Sequence, residues 1–291
     1  MTTCFERAKK VVDALIPVAE KLINDSTPVD VVVRKRLNAL SGGYGWNLLN
    51  IGRSPIDYSK TTTHIAYIYR SFSAHADWVF KALNMASPAV TKALAADELK
   101  VACIGGGPGS DIAGVLKFAE AHGLLAKEFE FIVLDREPAW RRARNELIAT
   151  YEGEAEATLS YQALDLADGS PWTDNWEFAN SDLFVLSFAL SEVWSFNKDR
   201  SVSQFLDRLI TSARPGAIFC YVDNGGDKFT PLIEEEFDAR DDLEIMGSRD
   251  DDRLLLSHDE QCSAIEEEYG ERFKQRPKLT GNVALRVWKK L

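Results

Sequence analysis

Cysteine and histidine are scarce in this chain, with four residues of each type among 291. The cysteines lie far apart, at Cys4, Cys103, Cys220 and Cys262, and no two of them form a CxxC pair. That spacing excludes a disulfide framework and the usual zinc motifs. We therefore expect reduced thiols, as in a cytoplasmic protein, and no metal site.

Long hydrophobic runs are also missing. No apolar stretch approaches the ~18–20 residues that a membrane-spanning helix needs, which excludes a segment of that kind. The first residues, Met1–Arg7, have no apolar core and include the acidic Glu6, so we expect no secretory leader. These absences predict a cytoplasmic protein without a membrane partner.

Three familiar catalytic signatures are absent. The chain has no GxSxG elbow of the serine hydrolases, no Walker motif of the nucleoside triphosphatases and no HExxH pair of the zinc proteases. Other patterns must therefore indicate the chemistry of this protein.

Basic residues are in deficit relative to acidic ones: the chain has 34 Lys and Arg and 45 Asp and Glu, which gives a net charge of −11. The deficit lies in residues 101–291, with 21 basic and 36 acidic side chains, whereas residues 1–100 have 13 and 9. An acidic body argues against broad binding of nucleic-acid phosphates. The run Arg34-Lys35-Arg36 keeps RNA open as a partner, although such runs are more often solvated helix faces.

The periodicity of apolar residues changes near residue 99. Residues 1–98 show helical spacing and predict an α-helical cap, with a first helix that Pro17 kinks or splits. A second helix is predicted to end near Leu40, followed by a flexible glycine-rich connection over Ser41–Gly45 and a long helix over Ser59–Met85. Residues 99–291 alternate short apolar runs with helical stretches, which predicts βα units and a parallel sheet. The predicted strands are Lys100–Ile104, Phe129–Leu134, Ala157–Tyr161, Asp182–Phe188, Ala217–Val222 and Asn282–Trp288, with one more near Leu254 or near Phe273.

A glycine-rich turn is the most informative segment. Gly105, Gly107 and Gly109 alternate directly after the first predicted strand, with Gly106 between them, and a helix follows that carries Asp111 near its start. Glycine allows a sharp turn and lets a ligand approach the backbone, while the helix start offers free N–H groups. A tight turn without a ligand is the alternative.

Acidic residues follow the next two predicted strands. Asp135 ends the second strand, where a carboxylate can accept both hydroxyls of a ribose, although it could instead cap the helix near Glu137. We include the adjacent Arg136 in the candidate site. Asp165 and Leu166 follow the third strand and could bind the amino group and cover the face of an adenine, or simply lie in a solvated loop.

The fourth predicted strand runs into a polar and aromatic loop. Reacting groups gather at the carboxyl ends of strands in open α/β sheets, which makes Ser187, Ser191, Glu192 and Trp194 candidates. An ordinary apolar strand followed by a helix is the alternative.

In this order, these motifs resemble the class I S-adenosylmethionine-dependent methyltransferases over residues 99–291, and Arg214-Pro215-Gly216 resembles their turn before the fifth strand. The resemblance implies a Rossmann-like seven-stranded, mostly parallel sheet with an antiparallel last strand, S-adenosylmethionine as cofactor and S-adenosylhomocysteine as product. Many members have an acid before the first glycine, where this chain has Cys103-Ile104. The contact with the cofactor's ammonium group must then come from backbone carbonyls or from another residue, for which Asp111 is our candidate. The DPPY-type motif of many amino-group methylating enzymes is absent.

The helix before the first strand also carries candidates. It faintly resembles a Tyr-rich helix in some ribosomal-RNA methyltransferases, and Arg70 could pair with the cofactor carboxylate. Packing between the two halves is the alternative for these residues. Candidate substrate contacts are Tyr44, Trp46, Tyr67 and Trp194, and candidate catalytic residues are Tyr67, His75, Ser191 and Glu192, with His64 a further possible base.

We therefore predict methyl transfer to a nitrogen, oxygen or carbon atom of a small molecule or peptide. A ribosomal-RNA base is the alternative acceptor, through the basic helical cap. An NAD(P)-dependent dehydrogenase and a non-catalytic methyltransferase-like partner are the remaining alternatives. No pattern in the sequence indicates an oligomeric state.

Overall fold

The computed structural model describes residues 2–23, 27–47, 56–167, 176–193, 200–226 and 230–291. Within those ranges, no helix combines the length and the apolar character needed to cross a membrane. Five helices precede the first strand: α1 (Cys4–Leu22), α2 (Val29–Asn47), α3 (Thr61–Tyr67), α4 (Ser73–Met85) and α5 (Ser87–Ala93).

Helix α1 is a single helix, so Pro17 does not split it. A capping box starts it, because the Thr3 side chain accepts a hydrogen bond from the Glu6 amide while the Glu6 carboxylate accepts one from the Thr3 amide. Its apolar face, which includes Phe5, Val12 and Leu15, is buried. The capping box stabilises the start of α1, and the buried face packs the helix against the rest of the chain.

The predicted connection over Ser41–Gly45 is wrong, because α2 continues through it to Asn47. The Ser41 hydroxyl donates to the Leu37 carbonyl at 2.9 Å, which satisfies the side chain inside the helix. Each glycine there costs only about 1 kcal/mol relative to alanine, so neighbouring turns can carry the helix through.

The long helix predicted over Ser59–Met85 is present but interrupted. Helix α3 passes through a π-helical turn, Ile68–Phe72, directly into α4. Such turns bulge the backbone and occur frequently at functional sites. The bulge lies between Tyr67 and His75, two of the candidate catalytic residues, and it contains Arg70.

The sheet has seven strands in the order β3-β2-β1-β4-β5-β7-β6, and its fold class is as the sequence predicts. The strands are β1 (Glu98–Ile104), β2 (Glu128–Asp135), β3 (Glu156–Ala163), β4 (Leu183–Ser187), β5 (Ile218–Asn224), β6 (Leu243–Leu255) and β7 (Thr280–Lys290). The first five are parallel, and β7 runs antiparallel between β5 and β6. Of the two predicted positions for the strand before the last, Leu254 is right, because Phe273 ends a helix.

In the described ranges, six further α-helices follow β1: α6 (Ser110–His122), α7 (Arg141–Ala149), α8 (Leu190–Val193), α9 (Ser201–Ser212), α10 (Thr230–Ile233) and α11 (Ser263–Phe273). Each parallel strand carries its carboxyl end to the same edge of the sheet. The turns and loops after β1, β2, β3 and β4 therefore converge there.

One hydrophobic cluster joins the N-terminal helices to one face of the sheet. A buried ion cluster joins them as well: the Lys117 ammonium on α6 donates to Asp77 of α4 at 2.9 Å and to Glu260 at 2.6 Å. Glu260 also accepts from the Cys4 amide at the start of α1, at 2.9 Å. Buried charges paired in this way make the relative position of these elements specific. The division into domains 1–98 and 99–291 stays a prediction.

Candidate functional site

A cleft opens at the carboxyl edge of the sheet, beside the end of α3. About 940 Å³ of space, part of it open to solvent, lies between its walls. Ten of the candidate residues line this cleft together: Tyr67, Gly105, Gly106, Gly107, Asp135, Arg136, Asp165, Leu166, Ser187 and Glu192.

The glycine turn adopts backbone conformations that favour glycine. Gly105, Gly107 and Gly109 have φ angles of +68°, +43° and +95°. A Cβ atom on Gly105 would lie 2.6 Å from the Ala189 Cβ, and one on Gly109 would lie 2.8 Å from a Leu147 methyl carbon. On Gly107, by contrast, the nearest atoms would be 3.8 Å away, so a side chain there would project into the cleft. The turn thus leaves backbone exposed to a ligand at Gly107.

Asp135 lies opposite this turn at the end of β2. Its carboxylate accepts hydrogen bonds from the Gly107 amide and from the Glu137 amide, both at 2.8 Å. Burial raises the pKa of this carboxyl, and the two amide bonds oppose that shift. Each carboxylate oxygen has a second lone pair, so Asp135 can still accept from a ligand's hydroxyls. It therefore both shapes the glycine turn and presents acceptors to the cleft.

Asp165 and Leu166 lie on the cleft wall that follows β3. The Asp165 carboxylate accepts from the Ala167 amide at 3.0 Å, and its other oxygen lies 3.9 Å from the Arg136 guanidinium. Leu164 and Leu166 are buried beside it and line the same wall. An apolar surface next to a carboxylate acceptor suits a planar ring with an exocyclic amine.

Asp111 lies beneath the cleft, fully buried in the first turn of α6. The Ser187 hydroxyl, on the cleft wall, donates to one of its oxygens, and the other oxygen has no partner in the described part of the chain. Burial raises the pKa of Asp111 to about 7. An unpartnered buried carboxylate oxygen is costly, and a cation bound next to it would relieve that cost.

Asp111 predicts a pH dependence of stability. Between about pH 4 and pH 7 the folded chain holds a proton that the unfolded chain releases, so the free energy of unfolding falls as the pH rises through that range. Urea unfolding at pH 5 and pH 8 measures this fall. Asp111→Asn keeps the shape and removes the titration, so we expect a smaller fall in the variant. Asp223, whose pKa burial raises to about 6, accounts for part of what remains. An unchanged fall in the variant would contradict this role.

Aromatic rings close one side of the cleft. Trp140 is 3% exposed and stacks on His64, with ring centroids 4.1 Å apart, and its centroid lies 5.5 Å from that of Tyr67. A hydrogen bond of 3.2 Å joins the Tyr67 hydroxyl to His75 Nδ1. Burial holds the pKa of His75 well below its usual value and the pKa of Tyr67 well above, so both side chains are neutral near pH 7.

Phe188 is a cleft residue that the sequence did not indicate as a candidate. It follows β4 directly, has a φ angle of +53°, and stacks on His75 with ring centroids 3.7 Å apart. A positive φ is strained for a non-glycine residue, and such strain clusters at functional sites. Trp140 and Arg144 were also missed. Arg144 is buried and donates to the Gly107 carbonyl at 3.0 Å, which supports the turn from below.

Some candidate residues are not on the cleft wall. Ser191 is buried, and its amide donates to Asp223 at 2.9 Å. His75 lies behind Tyr67, and Arg70 is absent from the described residues that line the cleft. The side chains of Tyr44 and Trp46, and all of Trp194, lie outside the described residues. Across the described ranges, no group of three or more His, Cys, Asp or Glu side chains is arranged to hold a metal ion.

Comparisons with known proteins show similarity in fold. No family model matches the chain, and no curated protein matches it. A structure from Pyrococcus horikoshii, provisionally described as an RNA methyltransferase, is 15% identical over 88% of this chain and 98% of its own, with a TM-score of 0.44. Precorrin-6y C5,15-methyltransferase from Geobacter metallireducens is 11% identical over 84% and 100%, with a TM-score of 0.40. The plantazolicin methyltransferase BpumL, in complex with SAH, is 11% identical over 90% and 98%, also at 0.40.

Similarities at this level carry no conclusion about activity or substrate. The architecture itself is clear from the strand order, the antiparallel β7 and the glycine turn between β1 and α6. In fold, the chain is a Rossmann-like α/β protein of the kind that the sequence resemblance to class I methyltransferases implies.

Proposed function

We propose that this chain is an S-adenosylmethionine-dependent methyltransferase whose cofactor binds in the cleft at the carboxyl edge of the sheet. The observation that carries the proposal is the contact between the Gly107 amide and the Asp135 carboxylate, 2.8 Å apart on the cleft wall. It brings an open stretch of backbone and a ribose acceptor together at one point. In Rossmann-like folds these are the two features that bind the sugar and the polar end of a nucleoside cofactor.

The residues present fit such a cofactor. A Cβ atom on Gly107 would fill the space next to Asp135, which is where a ribose would lie. Asp165 offers an acceptor to the adenine amino group, next to the apolar Leu166. The unpartnered oxygen of Asp111, bonded through its other oxygen to Ser187, would complement the ammonium group. Arg136, on the same wall, would flank the adenosine.

When bound, the cofactor would supply an electrophilic methyl group for a nucleophilic atom of the methyl acceptor. The chain's contribution is then alignment of the two molecules and exclusion of water. Trp140, Tyr67 and Phe188 form the apolar wall that excludes water. The Tyr67 hydroxyl donates to His75 Nδ1 at 3.2 Å, and because burial keeps both side chains neutral, this pair would orient the methyl acceptor through the Tyr67 oxygen rather than take a proton from it. Where the methyl acceptor must lose a proton, Glu192, which lines the same cleft, is the candidate base.

For the acceptor we favour a small molecule or a peptide, because the acidic body of residues 101–291 repels a polyanion. RNA is the alternative, and it would bind with a steep loss of affinity between low and moderate salt. We also propose that the protein is cytoplasmic and that residues 1–98 act as a helical cap.

Calorimetric titration tests the proposal. We expect S-adenosylhomocysteine to bind with micromolar affinity and NADH, titrated in parallel, not to bind. Binding of NADH alone would overturn the proposal in favour of a dehydrogenase. Binding of neither ligand would also contradict it. A methyl-transfer assay against small-molecule, peptide and RNA acceptors then distinguishes an enzyme from a non-catalytic cofactor-binding partner.

A further inference from the structure

Two cations lie together just beyond the cleft wall. Arg70 is in the π-helical turn after α3, and Lys278 is in the segment that leads into β7. The Lys278 amide donates to the Arg70 carbonyl at 2.7 Å, which fixes the two residues side by side. Within the described part of the chain, neither side chain forms an ion pair or a hydrogen bond.

Aromatic rings connect this cation pair to the cleft. The Lys278 ammonium lies 4.8 Å from the ring centroid of Trp78 and 5.2 Å from that of Phe188. Phe188 lines the cleft, and its other ring neighbour, His75, is bonded to Tyr67. The Phe188 ring therefore contacts both the Lys278 ammonium and the cleft in which the methyl group would be transferred.

The carboxylate that acts on Lys278 is already hydrogen-bonded to other groups. Asp223, at the end of β5, acts electrostatically on Lys278, but it accepts from the Ser191 and Asn224 amides at 2.9 and 2.7 Å. Burial, together with the adjacent Arg70, lowers the pKa of Lys278 to about 8, and Asp223 opposes that shift. At Lys278 the repulsion from Arg70 outweighs the attraction of Asp223, and an anion bound by the two cations would remove that imbalance.

We propose that Arg70 and Lys278 bind a carboxylate group of the methyl acceptor. This inference rests on the proposed function, because it takes the cleft beside Phe188 as the cofactor site. A guanidinium binds a planar carboxylate through two parallel hydrogen bonds, and an ammonium adds a point charge. The Phe188 ring, which lines the cleft, suits an apolar or aromatic acceptor body. The cofactor also has a carboxylate, and the experiment separates these two sources.

The experiment has two arms. In the first arm, benzoate is the probe and benzamide, which is similar in shape but neutral, is its control. Each is added to the full-length chain without cofactor. Amine-selective acylation across a pH series, read by peptide mass spectrometry, reports the pKa and accessibility of Lys278. We expect benzoate to raise the pKa of Lys278 by about one unit and to slow its acylation about five-fold or more. Arg70→Met is expected to weaken both effects, and Arg70→Lys to retain part of them.

Lys127 is the matched control within the same samples. It is an exposed lysine whose ammonium pairs with Asp97 at 3.0 Å, and benzoate should leave its acylation unchanged. Equal protection of Lys278 by benzamide, or no protection by benzoate, would overturn the proposal. Because this arm needs no cofactor, its outcome is independent of whether S-adenosylhomocysteine binds.

The second arm identifies the source of the carboxylate. Lys278→Met and Arg70→Met are titrated with S-adenosylhomocysteine and with 5′-methylthioadenosine, which lacks the amino-acid portion. We expect both ligands to bind the variants as they bind the wild type and the Lys127→Met control. A loss of about ten-fold or more for S-adenosylhomocysteine alone would assign the pair to the cofactor carboxylate and overturn its assignment to the acceptor. Failure of the wild type to bind S-adenosylhomocysteine would instead contradict the proposed function.

Discussion

Gly107→Val is expected to abolish S-adenosylhomocysteine binding while the chain stays folded. Gly107 has a φ angle of +43°, and a Cβ atom there would point into the cleft, 3.8 Å from the Trp140 indole nitrogen and 3.9 Å from an Asp135 oxygen. Valine adds two further methyl carbons, which would occupy the space of the ribose. We expect the affinity to fall by about 100-fold or more, or about 2.7 kcal/mol, in a calorimetric titration.

Gly123→Val provides the matched control for this variant. Gly123 follows α6 with a φ angle of +58°, and a Cβ atom there would meet nothing within 4 Å. Both substitutions impose a similar backbone strain of about 1–2 kcal/mol on folding, which urea unfolding measures. Only Gly107→Val should lose the ligand. If the two variants bind alike, the ligand does not approach the backbone at Gly107.

Asp135→Ala is expected to have the second large effect. It removes the proposed acceptor for two ribose hydroxyls, and hydrogen bonds to a charged group contribute about 1.5–3 kcal/mol each. It also leaves the Gly107 and Glu137 amides without the acceptor that they have in the folded chain. Together these losses should reduce the affinity for S-adenosylhomocysteine by about 100-fold or more.

A double-mutant cycle separates the lost ribose contact from a disturbed turn. The wild type, Asp135→Ala and Asp135→Asn are each titrated with S-adenosylhomocysteine and with its 2′-deoxy analogue. The wild type should bind the analogue more weakly, whereas Asp135→Ala should not distinguish the two ligands. Asp135→Asn keeps an oxygen acceptor and should lie between them. If all three chains discriminate equally, Asp135 acts only on the turn.

The raised pKa of Asp135 has a consequence for ligand binding. Ribose hydroxyls donate best to an ionised carboxylate, and burial makes Asp135 lose its charge at a higher pH than an exposed aspartate does. Binding of S-adenosylhomocysteine should therefore weaken at mildly acidic pH, before exposed carboxylates titrate. The same burial makes the contact strong when the carboxylate is charged, because water competes less there.

Several parts of the fold were predictable because their signals are local. Strands β1, β2, β4 and β5 are mostly buried on both faces, so they read as continuous apolar runs in the sequence. The glycines at 105, 107 and 109 mark backbone conformations that other residues rarely adopt. Since parallel strands end at one edge, the acids after β2 and β3 were expected to lie near the glycine turn, and they do.

Other features depend on which distant segments cover one another, and no local pattern carries that information. From the sequence, Trp140 would be placed at the start of a helix. In the structure it closes the cleft, because His64 packs on its ring. No sequence pattern indicates a role for Lys278, yet its ammonium lies against the rings of Trp78 and Phe188 and its amide donates to the Arg70 carbonyl.

The sequence by itself determined the α/β fold class, the parallel strands and the residues that turn and end the strands at the candidate cofactor site. Only the tertiary structure decided where the strand before the last lies, that α2 continues to Asn47, which helix closes the candidate site and which cations lie beside it. The reason is physical: backbone conformation and burial leave a periodic local pattern, whereas desolvation and charge pairing arise between segments far apart in the chain.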